Sequence, residues 1–113
     1  MRESQSITGK LLDQAMELRR LGRYEELLDC YDHLFERTPM IQWKMKALQH
    51  KMLLLDYLGR YNEAIEVCDK GLFFNHQYFL QEKERVIMKR DKEKAKRKKG
   101  GKGTDIKRKK KSL

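Results

Sequence analysis

Cysteines and long apolar runs are scarce in this chain, and both shortages limit what it can be. Only Cys30 and Cys68 are present among 113 residues. Both fall on or beside predicted helix faces, so we expect reduced structural thiols rather than a disulfide. No window approaches the roughly 18 apolar residues of a spanning helix, and residues 1–9 contain no apolar run of signal-peptide length. These absences predict an intracellular protein without membrane contact, cytoplasmic or, in a eukaryotic cell, nuclear.

Convergent chemical groups are missing as well. His33, His50 and His76 fall on different predicted helices or at a helix start, and the chain has neither a Ser-His-Asp order nor a phosphate-binding glycine loop. Cys30 and His33 have a spacing that suits metal ligands, but a closed zinc site needs four ligands and no second pair completes it. We therefore expect no enzyme activity, no cofactor and no metal site.

A repeated tetrapeptide is the most informative feature that is present. Leu-Gly-Arg-Tyr occurs at residues 21–24 and again at 58–61. After each copy the apolar residues step by three or four, which is typical of one buried helix stripe. The stripes comprise Leu27, Leu28, Tyr31, Leu34 and Phe35, then Ala64, Ile65, Cys68 and Leu72. Self-similarity at this spacing predicts an all-α fold of stacked antiparallel helical hairpins.

Breaks in the pattern give approximate helix bounds. Gly22 and Gly59 can adopt the left-handed conformation that ends a helix and allows the chain to reverse. Thr38 is suited to cap a helix that has Pro39 in its first turn, and Asn75 is suited to cap the last helix. The predicted helices span about residues 8–20, 24–37, 39–57, 61–74 and 76 onward.

The last predicted helix loses its apolar residues early. Its stripe uses Phe79, Leu80, Val86 and Ile87, and no large apolar residue follows Lys89 until Ile106. We expect apolar packing to end there, a solvated helix to continue for some residues, and a break at the glycines before a disordered end. Those glycines are Gly100, Gly101 and Gly103.

The hairpin pattern resembles the tetratricopeptide repeat over about residues 8–88. Residues 58–65, Leu-Gly-Arg-Tyr-Asn-Glu-Ala-Ile, look like the family's turn and second-helix signature. In the first copy Leu27 replaces the usual alanine, and Pro39 matches the closing proline. The two glycines lie 37 residues apart instead of about 34, so we expect nearly one extra helical turn around residues 40–44. Two repeats with a capping helix fall short of three, which favours a homo-oligomer, a partner or unusually good packing.

The resemblance implies a partner-binding groove. In the family, first helices line a concave surface that holds an extended peptide or a partner helix. Transferred to this chain, that surface would present Leu12, Asp13, Met16, Arg19, Lys46, Gln49, Leu53, Asp56 and Tyr57. Three consecutive leucines at 53–55 and Trp43 cannot all point inward, and either a partner or the capping helix could cover them.

The tail concentrates the positive charge. Residues 81–113 hold 16 Lys and Arg against 5 Asp and Glu, a net +11, whereas residues 1–80 are near neutral. Such a tail binds polyanions through the phosphate backbone, with little sequence readout. It also resembles a bipartite nuclear-localisation signal, or it could only solubilise the chain; attraction to anionic lipid is the weakest alternative. Its two clusters comprise Lys96, Arg97, Lys98, Lys99, and Lys107, Arg108, Lys109, Lys110, Lys111.

Together these patterns predict a tetratricopeptide-like module at residues 1–88 and a Lys/Arg-rich tail at residues 89–113. The function expected is a non-enzymatic adaptor whose groove holds a protein partner while the tail contacts nucleic acid or an import receptor. The alternative is a small RNA- or ribosome-associated protein in which the tail supplies most of the binding.

Overall fold

The computed structural model describes the backbone of residues 2–102 and the side chains of residues 7–96. Within that part of the chain every regular element is helical, which confirms the all-α prediction. The five helices are α1 Arg2–Leu21, α2 Tyr24–Arg37, α3 Ile41–Tyr57, α4 Tyr61–Gly71 and α5 His76–Lys102.

Two equivalent glycine turns close the hairpins. Gly22 and Gly59 have positive φ angles of 73° and 79°, the left-handed conformation that a residue without Cβ adopts readily. The next residue's N–H donates to a carbonyl oxygen five positions back, at 3.0 Å after Gly22 and 2.8 Å after Gly59. Both turns therefore end a helix in the same way, as the repeated tetrapeptide predicts.

Each helix packs against the next one in sequence, and the buried side chains form two clusters. The first joins α1, α2 and the start of α3, and the second joins α2, α3, α4 and α5. The first contains Leu11, Ala15, Leu18, Leu27, Cys30, Tyr31, Leu34 and Ala47. The second contains Leu28, Leu48, Met52, Leu55, Ala64, Val67, Cys68, Phe79 and Val86. The predicted stripes of α2 and α4 supply both, with Phe35, Ile65 and Leu72 packed at their edges.

Helix α1 begins at Arg2 rather than near Thr8. Its first turn carries no apolar stripe, so periodicity gave no signal there, although Arg, Glu and Gln are good helix formers. Ile7 is exposed, although it lies at helical spacing before the buried Leu11. Thr8 is buried instead, and its Oγ1 donates to Thr38 Oγ1 at 3.1 Å.

Helix α3 begins two residues later than predicted. Thr38 does not cap it; it is the C-cap of α2, with extended φ and ψ of −73° and 135°. A proline restricts the preceding residue to this region, so the chain stays extended through Pro39 and Met40 becomes the N-cap. Trp43 then lies half-buried in the first turn of α3.

Helix α4 ends at Gly71, three residues before the predicted end, and a turn leads to α5. Phe79 explains the need for glycine there, because a Cβ on Gly71 would stand 2.4 Å from its ring. Asn75 caps α5 as predicted: its Oδ1 accepts from Tyr78 N–H at 3.2 Å.

Helix α5 differs from the prediction in two ways. Phe79 and Val86 are fully buried, but Leu80 is exposed, because it lies about 100° around the helix from Phe79. The helix also continues through Gly100 and Gly101 to Lys102; a glycine within a helix costs about 1 kcal/mol, which weakens a helix without forbidding it. Gly103 and the predicted disordered end lie outside the described residues.

Candidate partner-binding cavity between the first three helices

A cavity of about 290 Å³ opens where the end of α1, the start of α2 and the second half of α3 meet. The glycine turn positions its walls, because it folds α2 back against α1 while α3 packs along α2. The lining residues are Arg19, Tyr24, Leu27, Tyr31, His50, Leu53, Leu54 and Tyr57. Seven of these eight side chains are aliphatic or aromatic rings, so the cavity suits an apolar group.

Two ring contacts shape the cavity. Tyr24 and Tyr57 meet edge to face with centroids 5.9 Å apart, a preferred geometry for aromatic pairs. Tyr31 and His50 stack with centroids 5.6 Å apart and planes inclined by 19°. Tyr57 is 73% exposed, which leaves most of its surface available to a ligand at the mouth of the cavity.

Positive charge surrounds this apolar space. Burial lowers the pKa of His50, and the nearby cations Arg19 and Lys46 lower it further. Burial raises the pKa of Tyr31, an effect that Arg19 partly opposes. His50 is therefore mostly neutral near pH 7, and a proton on it is disfavoured by two cations.

The predicted groove residues are dispersed over the surface. Arg19, Leu53 and Tyr57 line the cavity. Gln49 lines a second cavity of about 140 Å³, where Met45 of α3 faces the start of α5. Leu12 is half-buried, and Asp13, Met16 and Lys46 are exposed without lining either cavity.

Asp56 faces α5 instead of a groove. Its side chain is buried, and its two carboxylate oxygens accept hydrogen bonds from Arg85 Nη1 at 3.0 Å and Lys89 Nζ at 3.1 Å. A buried carboxylate needs such partners. The contact fixes α3 against α5 and takes Asp56 out of the set available to a ligand.

Residues of α2 were missed by the sequence interpretation. The family resemblance assigns binding to first helices, yet Tyr24, Leu27 and Tyr31 of the second helix form one wall. His50 was considered only as a catalytic group. The signal that could have found Tyr24 is its place in the repeated tetrapeptide, directly after a turn.

The three consecutive leucines face different ways. Leu55 is buried in the second cluster, to which Phe79 and Val86 of α5 also belong, and Leu54 packs at the edge of both clusters. Leu53 is 41% exposed and lines the cavity. The fold therefore buries one of the three, and Leu53 is left for a ligand to cover.

Tail residues are only partly described. Lys96 is exposed on α5, and residues 97–99 lie on the same helical backbone. The second basic cluster, residues 107–111, lies outside the described part of the chain.

The described residues also bear on metal and thiol chemistry. Nowhere in that part of the chain do three His, Cys, Asp or Glu side chains come together to hold a metal ion. Cys30 and Cys68 are buried free thiols; burial raises the pKa of both, that of Cys68 to about 11, which suppresses the reactive thiolate. Within residues 2–102 the helices are too short or too polar to cross a membrane.

No protein-family model matches the chain, and no solved structure matches it at a significant level. The tetratricopeptide resemblance remains a proposal. Its support is internal: two hairpins with the same glycine turn and the same buried positions.

Proposed function

We propose that the chain is a non-enzymatic tetratricopeptide-like adaptor. It holds a peptide or helix of a protein partner in the cavity between its first three helices, while the basic tail contacts nucleic acid or an import receptor. The observation that carries this proposal is the cavity itself, because its walls combine leucine side chains with the rings of three tyrosines and a histidine, and they come from both hairpins. Such a concave apolar surface suits the apolar anchors of a partner segment.

Repeat stacking supports the solenoid arrangement. The helices pack in chain order, and Arg60 of the second glycine turn connects the hairpins. Its Nη1 donates to Glu25 at 2.5 Å and its Nη2 donates to Glu63 at 2.7 Å. Arg23 in the first turn likewise pairs with Glu26, so the turn of the second hairpin repeats that of the first and adds a bond across the stack.

A displayed library of random 12-residue peptides tests the cavity as a binding site. We expect the full chain to enrich peptides with apolar anchors, and Leu53→Glu to lose that enrichment because it places a charge in the cavity wall. Met88→Glu is the matched control: Met88 is an exposed apolar residue of α5, far along the chain from the cavity. Equal enrichment by all three proteins would contradict binding in the cavity.

The second candidate function is a small RNA- or ribosome-associated protein whose tail supplies most of the binding. The net +11 of residues 81–113 favours it. Helix α5 extends to Lys102, so the first basic cluster begins on a helix that is anchored in the folded part.

Fluorescence anisotropy with labelled single- and double-stranded RNA and DNA separates the two functions. A tail-driven binder loses affinity steeply as salt rises, and a chain ending at residue 90 loses binding altogether while Leu53→Glu retains it. Residue 90 is the better end point than residue 88, because Lys89 and Arg90 contact Asp56 and Asn62. Absence of nucleic-acid binding near physiological salt would leave the tail as a localisation signal or a solubilising segment.

A further inference from the structure

We propose that the cavity between the first three helices recognises an acidic apolar ligand: a leucine-sized side chain that enters the cavity, next to a carboxylate that pairs with Arg19. The inference rests on the proposed adaptor function and specifies its partner as a peptide segment with an aliphatic anchor beside an acidic group or a free C-terminus.

The size and lining of the cavity define the anchor. Leu27, Leu53 and Leu54 supply aliphatic surface, and the cavity volume of about 290 Å³ is at the small end of ligand sites. One branched side chain, with part of its backbone, suits such a space better than a whole helix does.

Arg19 differs from its neighbours in having no ion pair among the described side chains, so it can pair with the carboxylate of a ligand. Arg20, the next residue, donates to Glu17 at 2.6 Å, and Arg23 pairs with Glu26. Within the described side chains no carboxylate lies within ion-pair distance of Arg19, although Arg19 lines the cavity. An arginine presents a planar fork of donors that matches a carboxylate.

The charges around the cavity favour an anion. The charged groups that act on His50 are Arg19 and Lys46, both cations, and Lys46 has no ion-pair partner among the described residues either. Lys51 is nearby on α3, but Asp32 neutralises it at 2.6 Å. An incoming carboxylate therefore meets Arg19 in the cavity wall, and Lys46 adds a second positive charge that acts on His50 from outside the lining.

The same features disfavour a nucleic-acid ligand. Tyr31 is buried and stacks one face on His50, which leaves Tyr57 as the one strongly exposed ring of the lining, whereas single strands are held by several stacking rings. Only Arg19 among the lining residues carries a fixed positive charge, whereas a phosphate backbone is bound by a track of cations.

The test uses NMR spectroscopy on the full chain with two matched probes, N-acetyl-L-leucine and its neutral amide, N-acetyl-L-leucinamide. Binding is followed through the ring signals of Tyr24, Tyr31, His50 and Tyr57. We expect the acid to bind with a Kd on the order of millimolar, as suits a ligand of this size. It should bind about three- to tenfold more tightly than the amide, because Arg19 is exposed and its ion pair is screened.

Two charge-matched variants locate the interaction. Arg19→Gln should abolish the preference for the acid, and Arg20→Gln should retain it, although each removes one positive charge from adjacent positions of α1. The basic tail is present in both, so its general attraction for anions cancels in the comparison. Arg19→Lys should recover part of the preference.

Each contrary result overturns the inference in a distinguishable way. Equal affinity for acid and amide would remove the charge recognition and leave an apolar adaptor cavity. Equal losses in Arg19→Gln and Arg20→Gln would show a diffuse field instead of an ion pair. No shift of the ring signals with either probe would remove the ligand class, while the peptide library still tests the adaptor function. Shifts of the same signals with a dodecamer of uridine, greater than those with the acid, would assign the cavity to RNA.

Discussion

Gly59 ends α3 with a φ of 79°, and nothing lies within 4 Å of the place where a Cβ would stand. A side chain there costs backbone strain and creates no clash. We expect Gly59→Val to lower the free energy of unfolding by about 1 to 2 kcal/mol, measured by urea denaturation.

A substitution at Gly9 provides a control, because it should change the free energy of unfolding in the opposite direction. It lies within α1, also with no atom within 4 Å of a Cβ, and it has no positive φ. Gly9→Ala should raise the free energy of unfolding by about 0.5 to 1 kcal/mol. If Gly59→Val leaves the free energy of unfolding unchanged, the left-handed conformation assigned to Gly59 is wrong.

His50 should make stability fall as the solution is acidified. Burial and two cations lower its folded pKa, so between the folded pKa and the unfolded value of about 6.5 the unfolded chain binds more protons. Stability then increases with pH across that window and is fully present above it. The check is the melting temperature of wild type and of His50→Gln, measured from pH 8 to pH 5. Below about pH 7 the melting temperature of wild type should fall more steeply on acidification than that of His50→Gln, and above it both should change with pH in the same way.

A pH profile that is the same in His50→Gln as in wild type would show that His50 has no part in it.

At the scale of elements, the contact between α3 and α5 depends on Asp56. Its side chain is 8% exposed and pairs with Arg85 and Lys89. Asp56→Ala leaves Lys89 without its carboxylate, whereas Arg85 keeps its ion pair with Glu82 at 2.8 Å; both cations are partly exposed and can be hydrated. We expect a loss of about 1 to 2 kcal/mol in unfolding free energy by chemical denaturation.

Asp91→Ala is the matched substitution on the same helix. Asp91 pairs with Arg90 at 3.2 Å, but its side chain is exposed and connects no other helix. Asp91→Ala should change the free energy of unfolding by less than about 0.5 kcal/mol. Comparable losses in both variants would indicate that Asp56 contributes no more than a surface ion pair does.

Periodicity predicted the elements where apolar residues mark one face. The bounds of α2 and the two glycine turns were confirmed, because buried stripes and a residue needing positive φ leave direct signals. The first turn of α1 and the continuation of α5 past Gly100 have no apolar pattern, so their extents could not be predicted. Thr38 was wrong as the cap of α3 because the chain stays extended through Pro39 and Met40 is the N-cap; the buried hydrogen bond that Thr38 accepts from Thr8 joins residues too far apart for local sequence to reveal.

The candidate site was less predictable than the fold. Arg19, Leu53 and Tyr57 of the predicted groove line one cavity, but the wall from α2 depends on how two hairpins pack. Asp56 was assigned to the groove because the family resemblance places the binding surface on first helices. Its partners lie 29 and 33 residues away, a distance that a helical pattern does not report.

For the molecule as a whole, the folded part should not depend on the tail. The described contacts of α5 with the other helices extend as far as Arg90, whose Nη1 donates to Asn62 Oδ1 at 2.9 Å. A chain ending at residue 90 should therefore melt within about 4 °C of the full chain, the shift that a change under 1 kcal/mol produces. A much larger fall in melting temperature would show that later residues stabilise the fold.

The length of α5 has a consequence for the two binding regions proposed above. Helix α5 continues for twelve residues after Arg90, and at 1.5 Å per residue they place the helix end about 18 Å beyond Arg90. Under the proposed function, this helical spacer would hold a polyanion away from the folded part, so that it would not compete with a ligand of the cavity. A partner and a polyanion would then be brought together at a raised effective concentration, and the chain would act as a bridge between them.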